Sequence, residues 1–309
     1  VSALRVGTFN VLFGHDVEAP GSWVERRPLL RRAFEAARPD LLGLQEVFPS
    51  KLAHVAEDLG GLALIPGPAT GPPRWSDRSH PYETVVRAIR TICYPRGFNS
   101  SLARSERAIA GELQPIAYRS DRLRLVASGA FWVSPSPEQP GSMLPLAYSP
   151  FLVHWARFTR SDTAAPVLVF NAHFGHAPWH HGATARIAAR QIDTIASANG
   201  ANGSVHEPPS VFLVGDFNAP RSSRLLRGLT SGSEARFVDG ARAASERVGP
   251  PVTFHWGRGS QRLGLTIDYV LVKGPLSARR AEVVDVHDGR LYPSDHYPVV
   301  VEFVDAPRA

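Results

Sequence analysis

The sequence predicts an α/β protein built from two packed β-sheets with helices on their outer faces. Three observations carry this: about eleven short β-like runs, two clear helical patterns, and no regular strand–helix alternation of the kind that winds a single parallel sheet. In chain order the runs are Leu4 to Phe9, Leu41 to Gln45, Leu62 to Ile65, Pro115 to Tyr118, Leu123 to Val126, Phe131 to Val133, Val153 to Phe158, Val167 to Ala172, Val211 to Val214, Ile267 to Val272 and Val299 to Phe303. Each is short, rich in aliphatic, β-branched or aromatic residues, and bounded by turn formers or charges. One helical pattern is Pro28 to Ala37, with Pro28 expected in the first turn, where its missing N–H costs nothing. The other is Ala183 to Ala196, where Ile187, Gln191, Ile192 and Ile195 keep a helical period. Residues 1–309 read as one domain, expected to be a monomer.

Two segments break the rhythm. Gly67 to Ala110 begins with GPATGPP and then offers a helix over Pro81 to Cys93, with Val85, Val86, Ile89 and Ile92 on one stripe and Arg87 and Arg90 off it. The segment holds seven arginines against Asp77, Glu83 and Glu106, so the chain's positive charge is concentrated there, interleaved with Trp75, Tyr82, Tyr94 and Phe98. Rings between arginines suit stacking on a base or sugar, and equally suit a solvated insertion whose aromatics pack inward. Asn199 to Ser210 reads as a surface loop.

The composition is globular, with 43% hydrophobic and 20% charged residues, and 34 basic against 28 acidic side chains give a net charge of +6. No apolar run nears the ~20 residues that a membrane span needs, so a soluble protein without membrane insertion is expected. The single cysteine, Cys93, forms no intrachain disulfide and leaves the compartment open. Lys51 and Lys273 are the chain's lysines; the remaining positive charge is arginine, which pairs bidentately with phosphate.

Five motifs set acids, amides and histidines at or just past strand ends. TFNVL places Asn10 at the end of the opening strand, and LLGLQEV ends an apolar run on Gln45 and Glu46. A carboxylate there is costly unless it is paired or holds a metal. VFLVGDFNAP spaces Asp216 and Asn218 two apart, on one side of an extended backbone. TIDYVLV embeds Asp268 in an apolar strand, and YPSDHYPVVVEF sets Asp295 and His296 before the last one. An Asp–His pair fixes the imidazole tautomer and raises its pKa.

These motifs, in this order, resemble the endonuclease/exonuclease/phosphatase superfamily from Asn10 to His296. GELQPIAYRSDRL, with Tyr118, and FNAHFGH, with Asn171 and His173, extend the likeness, and ASGAFWVSPSPEQPGS resembles a bacterial subgroup of metal-dependent hydrolases. The resemblance implies a four-layer αββα sandwich of the pancreatic-deoxyribonuclease type, with the site at one end of the two sheets. It implies a metal-dependent hydrolase that cleaves a phosphoester by in-line attack of water. Glu46 would be the principal metal ligand, with Asn10 beside it and Asp295 nearby, and these oxygen ligands select a hard ion, Mg²⁺ or Mn²⁺. Asp216 would orient or deprotonate the water, Asn218 would hold substrate or water, and His173 and Tyr118 would contact phosphate oxygens. His296, held by Asp268, would face the scissile phosphate. Asn171, His176, Arg87 and Arg90 complete the expected substrate contacts. Either Asp216 or His296 suits the role of base.

The chain departs from that family in two places. Where relatives read T-H-L-D-H, it has Ala172, His173, Phe174, Gly175 and His176, so an acid is missing; HAPWHHG then adds His180 and His181, a set that suits substrate contacts, a solvated loop or a second, softer zinc site. Phe151 stands where the subgroup tends to carry arginine. A small phosphorylated molecule is the expected substrate, with nucleic acid the alternative, and a metal site redirected to non-phosphoester biosynthetic chemistry a third reading.

Overall fold

The computed structural model describes residues 3–12, 21–72, 111–198, 208–231, 236–259 and 262–306. In chain order the elements are β1 (Leu4–Asn10), α1 (Trp23–Ala37), β2 (Leu41–Gln45), α2 (Leu52–Asp58), β3 (Ala63–Ile65), β4 (Ile116–Tyr118), β5 (Leu123–Trp132), β6 (Leu152–Arg160), β7 (Pro166–His173) and α3 (His181–Ser197). There follow β8 (Ser210–Asp216), α4 (Arg224–Thr230), β9 (Val238–Asp239), α5 (Gly240–Ala243), β10 (Glu246–Val248), β11 (Asp268–Lys273), β12 (Leu276–Val283) and β13 (Val299–Asp305). They form a seven-stranded sheet, β10-β12-β13-β1-β2-β4-β3, packed on a six-stranded sheet, β5-β6-β7-β8-β11-β9. Both are mixed: β1 runs parallel to β2 and antiparallel to β13, and β7 runs parallel to β8.

Period-two alternation decides which side chains enter the layer between the sheets. Leu4 and Val6 of β1, Leu41 of β2, Val167 and Val169 of β7, Phe212 and Val214 of β8, and Val270 and Val272 of β11 share one buried cluster there. The alternate residues Phe9, Leu42 and Leu44 pack under α1 with Trp23, Leu30 and Phe34. On the opposite face Leu168, Phe170, Leu213 and Leu271 pack under α3 and α4 with Ala185, Ala188, Ile192, Leu225 and Leu229. Two helix layers thus cover two sheets, as the sequence pattern predicts.

The differences from the sequence reading have local causes. Leu123 to Val126 and Phe131 to Val133 join into one strand, β5, because both pair with β6, across a register shift between Leu125 and Ala127. The strand β12 reads LSARRAEV, whose arginines hide it from a hydrophobic pattern; Arg279 instead pairs across the strands with Glu302. Pro28 is not in the first turn of α1. The helix starts five residues earlier, at a cap where Ser22 Oγ accepts from Glu25 N–H at 3.3 Å, and Pro28 lies inside it. The expected helix over Pro81 to Cys93 lies outside the described residues, as do most of Gly67 to Ala110 and of the Asn199 to Ser210 loop.

Following the alternation toward the carboxyl end of β1, the inter-sheet layer changes from apolar to polar. Thr8 donates to Gln45 Oε1 at 3.2 Å, and Gln45 Nε2 donates to Asn171 Oδ1 at 2.7 Å. Asn171 Nδ2 is directed at three carbonyls of the facing sheet and its margin: Leu44 at 2.8 Å, Pro115 at 3.0 Å and Gln114 at 3.1 Å. The sheets approach so closely here that a Cβ on Gly43 would lie 2.6 Å from Asn171 Oδ1 and 2.7 Å from Val214 Cγ2. Asn171, expected to contact substrate, is fully buried and spends its amide tying the sheets together. Asn171→Leu should therefore cost about 2–3 kcal/mol of stability, since in this buried layer it leaves Gln45 Nε2 without its acceptor and takes a donor from Leu44 O, while Gln114 O and Pro115 O keep His154 Nδ1 and Leu44 N–H. Urea denaturation checks this; a midpoint within error of wild type would show the network to be dispensable.

Candidate active site

One step further along the same faces, strand register assembles a catalytic-type cluster. His173 pairs with Asp216 across β7 and β8, and Asp216 pairs with Asp268 across β8 and β11, so three chemically active side chains form one row at the sheet's end. In the facing sheet Asn10 pairs with Gln45, and Glu46 follows directly. Asn10 Nδ2 lies 3.1 Å from Glu46 Oε1 and 3.1 Å from Asp216 Oδ2, so the two rows meet at one amide. Glu46 and Asn218 hold left-handed backbone, φ 59° and 49°, a strain typical of functional positions; for Asn218 the side chain offsets it by donating to Phe174 O at 2.9 Å.

Two imidazole–carboxylate pairs flank Asp216. His296 Nδ1 lies 2.9 Å and 3.1 Å from the two oxygens of Asp268, and its Nε2 is 3.6 Å from Asp216 Oδ2. His173 Nδ1 lies 2.6 Å from Glu112 Oε1, with its Nε2 3.5 Å from the same Asp216 oxygen. The inner contacts are charge-assisted hydrogen bonds, while the outer ones are too long for that and act through charge alone. Asp216 Oδ1 accepts from Asn218 N–H at 2.8 Å, which turns Oδ2 toward the rings.

Burial opposes charge on both rings, but neighbouring carboxylates outweigh it. Asp268, Asp216 and Asp295 raise His296 to about 10, and Glu112 with Asp216 and Glu46 raises His173 to about 9. Burial pushes Asp216 up to about 6; His296 and His173 pull it down while Asp268 pushes it further up. At neutral pH the metal-free arrangement is thus an ionised Asp216 between two imidazolium rings. Because both rings are raised above an unfolded value near 6.5, their stabilisation is complete below that pH and is lost as pH rises toward 9 to 10. Asp268→Asn should bring the pKa of His296 down in the metal-free protein; an NMR titration in which that ring still titrates near its wild-type value would refute the pairing.

The structure brings together Asn10, Glu46, His173, Asp216, Asn218, Asp268, Asp295 and His296. Asp295 Oδ1 stands 3.9 Å from His296 Nε2. Tyr118 is not with them: it faces Leu41 at the opposite end of β2, about 15 Å of strand from Glu46, and its ring packs on Phe158 at 4.8 Å. His176 lies beyond β7 in a loop near His181, and His180 is taken up by Pro145 O at 2.9 Å. Arg87 and Arg90 fall outside the described residues. Glu112 is the residue that sequence reasoning missed, although the alternation Glu112, Gln114, Ile116 sets it on the inter-sheet face. Among the described residues, the set of three ligand-type side chains with donor atoms within 4.8 Å of one another is Asp216, Asp268 and His296. The two departures at Gly175 and Phe151 touch: a Cβ on Gly175 would lie 2.5 Å from the Phe151 ring, so that ring occupies the place a side chain would need.

This fold agrees with what sequence and structure comparison finds. The model of the endonuclease/exonuclease/phosphatase family matches residues 7–296, and the chain belongs to that family, whose members are hydrolytic enzymes acting on phosphoesters. No curated protein matches the chain in sequence. Among solved structures, an endonuclease/exonuclease/phosphatase from Bacteroides vulgatus aligns with a TM-score of 0.77 at 19% identity, covering 99% of this chain and 100% of that one. A mannosyl-6-phosphatase from Bacteroides thetaiotaomicron aligns with a TM-score of 0.73 at 21% identity, over 97% and 99% of the two chains. TDP2 from D. rerio, complexed with a single-strand DNA product, gives 0.61 at 14%, over 98% and 100%. At such identities the likeness is one of fold. Among the described residues no helix is long and apolar enough to cross a membrane.

Proposed function

We propose that the protein is a divalent-metal-dependent phosphoesterase acting on a small phosphorylated molecule, with Mg²⁺ as the ion and Mn²⁺ as a substitute. One observation carries the reading: two imidazole–carboxylate pairs and a shared amide converge on Asp216 Oδ2. Five carboxylates, Glu46, Glu112, Asp216, Asp268 and Asp295, gather around two rings and one buried arginine, Arg26, so the site stays net negative even with both rings protonated. That surplus and its oxygen donors suit a hard divalent cation. Glu46 and Asp295 would hold it, beside Asp216, because the Asp268 oxygens are already engaged by His296; Asn10, expected as a ligand, turns its Oδ1 to Leu12 N–H and would instead orient Glu46 and Asp216 through Nδ2. When bound, such an ion polarises a phosphoryl oxygen and offsets the charge that shifts during displacement.

The remaining chemistry belongs to the chain. Asp216, ionised above about pH 6, accepts the proton of the attacking water at Oδ2, while Asn218 fixes its orientation. His173 and His296, both protonated, donate from Nε2 to phosphate oxygens and stabilise the transferred group as the ester P–O bond opposite the water breaks, the leaving oxygen taking a proton from solvent. The pairing of His296 with Asp268, which favours the charged ring, supports Asp216 as the base. Glu112 and Asp268 hold the rings in place and keep them charged.

The similarity in fold to a mannosyl-6-phosphatase supports a compact phosphorylated substrate. A screen with Mg²⁺ of sugar phosphates, bis-p-nitrophenyl phosphate, sphingomyelin, oligonucleotides and plasmid DNA tests this. Turnover is expected on phosphorylated small molecules with little salt dependence; turnover confined to nucleic acid and falling steeply with salt would overturn the substrate class.

A further inference from the structure

A cation that catalysis does not use lies beneath the carboxylates. Arg26, near the start of α1, is wholly buried. Its Nε donates to Gly21 O at 3.0 Å, its Nη2 to Leu12 O at 3.0 Å, and its Nη1 to Val11 O at 3.2 Å and to Pro293 O. A guanidinium taken out of water costs several kcal/mol unless its donors are satisfied, and here four carbonyls satisfy them. Burial lowers its pKa to about 10, with Asp295 and Glu46 acting in the opposite sense, so it is charged at neutral pH.

Three of the carbonyls it holds belong to the segments that carry Asn10, which orients Glu46, and Asp295, a proposed ion ligand. Val11 and Leu12 follow Asn10; Leu12 is in the left-handed region at φ 52°, and its N–H donates to Asn10 Oδ1 at 3.0 Å. Pro293 precedes Ser294, whose hydroxyl donates to Asn10 O at 2.6 Å and stands 3.3 Å from Asp295 Oδ1. One planar guanidinium therefore spans the exit of β1 and the loop entering Asp295, a fork geometry that an ammonium cannot reproduce.

We propose that Arg26 is a positioning residue for the ion site, clamping these two loops so that Asn10 and Asp295 stand beside Glu46 before the ion arrives. This rests on the reading of the site as one for a divalent cation. The sign of the effect separates positioning from plain electrostatics. A positive charge near carboxylates repels an incoming cation, so its removal on charge grounds alone would tighten binding, whereas loss of the clamp weakens it.

The test is Mn²⁺ binding, read from the free-ion electron paramagnetic resonance signal, on the full chain and on Arg26→Met, Arg26→Lys and Glu46→Gln. Wild type should bind; Glu46→Gln and Arg26→Met should each weaken binding at least tenfold with circular dichroism near wild type, and Arg26→Lys should fall between. Arg26→Met binding Mn²⁺ as tightly as wild type, or more tightly, overturns the proposal. Should Arg26→Met not fold, Arg26→Lys with wild-type affinity overturns it, because lysine keeps the charge and loses the fork. Absence of Mn²⁺ binding by wild type overturns the ion-site reading itself, and this inference with it.

Discussion

Asp216→Asn is expected to lower kcat by about 10²–10⁴-fold on every phosphoester the enzyme accepts, with little loss of stability. The substitution keeps volume and keeps an oxygen for Asn218 N–H, but it turns an amide NH₂ toward Asn10 Nδ2 and toward the Nε2 atoms of both rings. The proton acceptor is gone, and so is the charge that helps hold His173 and His296 protonated. Both ring pKa values should therefore fall in the same variant, a change that NMR follows independently of turnover. Stability should change little, because burial and Asp268 disfavour the Asp216 charge while the new amide loses the hydrogen bond from Asn10 and the attraction of both rings. A variant with near-wild-type kcat would remove Asp216 as the base and point to His296.

The second large effect concerns Glu46. Glu46→Gln preserves shape but takes one charge from a net-negative cluster, so the metal-free protein should melt about 2 °C or more above wild type. Wild type should gain stability as Mg²⁺ is added, in proportion to the logarithm of its concentration once above the dissociation constant, and the variant should not. Activity should fall at least a hundredfold. Equal Mg²⁺-induced stabilisation of the two proteins would move the ion away from Glu46.

Much of this site was legible in the sequence because its residues end strands whose cores are unmistakable. Asn10, Gln45, Asp216 and Asp268 each break an alternating or continuous apolar run, and a buried polar residue in such a run needs a reason. The pairing of Asp268 with His296 follows from charge, although they are 28 residues apart. Glu112 was not legible as a partner of His173, because it sits outside any strand and 61 residues away, and only the register of β4 brings it to β7. Tyr118 misled for the complementary reason. Its type suits phosphate binding, but an antiparallel pairing with β2 reverses the strand and sends it to the far end of the sheet. Asn171 shares the inter-sheet face with His173, yet it lies one repeat deeper, where two sheets meet rather than where they open. The strands β10 and β12 escaped notice because their arginines and glutamates pair across strands instead of packing in a core.

Metal dependence is tested most directly by hydrolysis of bis-p-nitrophenyl phosphate and p-nitrophenyl phosphate by protein stripped with EDTA and then titrated with Mg²⁺ or Mn²⁺. No turnover is expected in the stripped protein, recovery is expected on at least one substrate with either ion, and none is expected in Glu46→Gln at the same ion concentrations. Full turnover in the stripped protein, or recovery in Glu46→Gln equal to wild type, would contradict a catalytic ion held by Glu46.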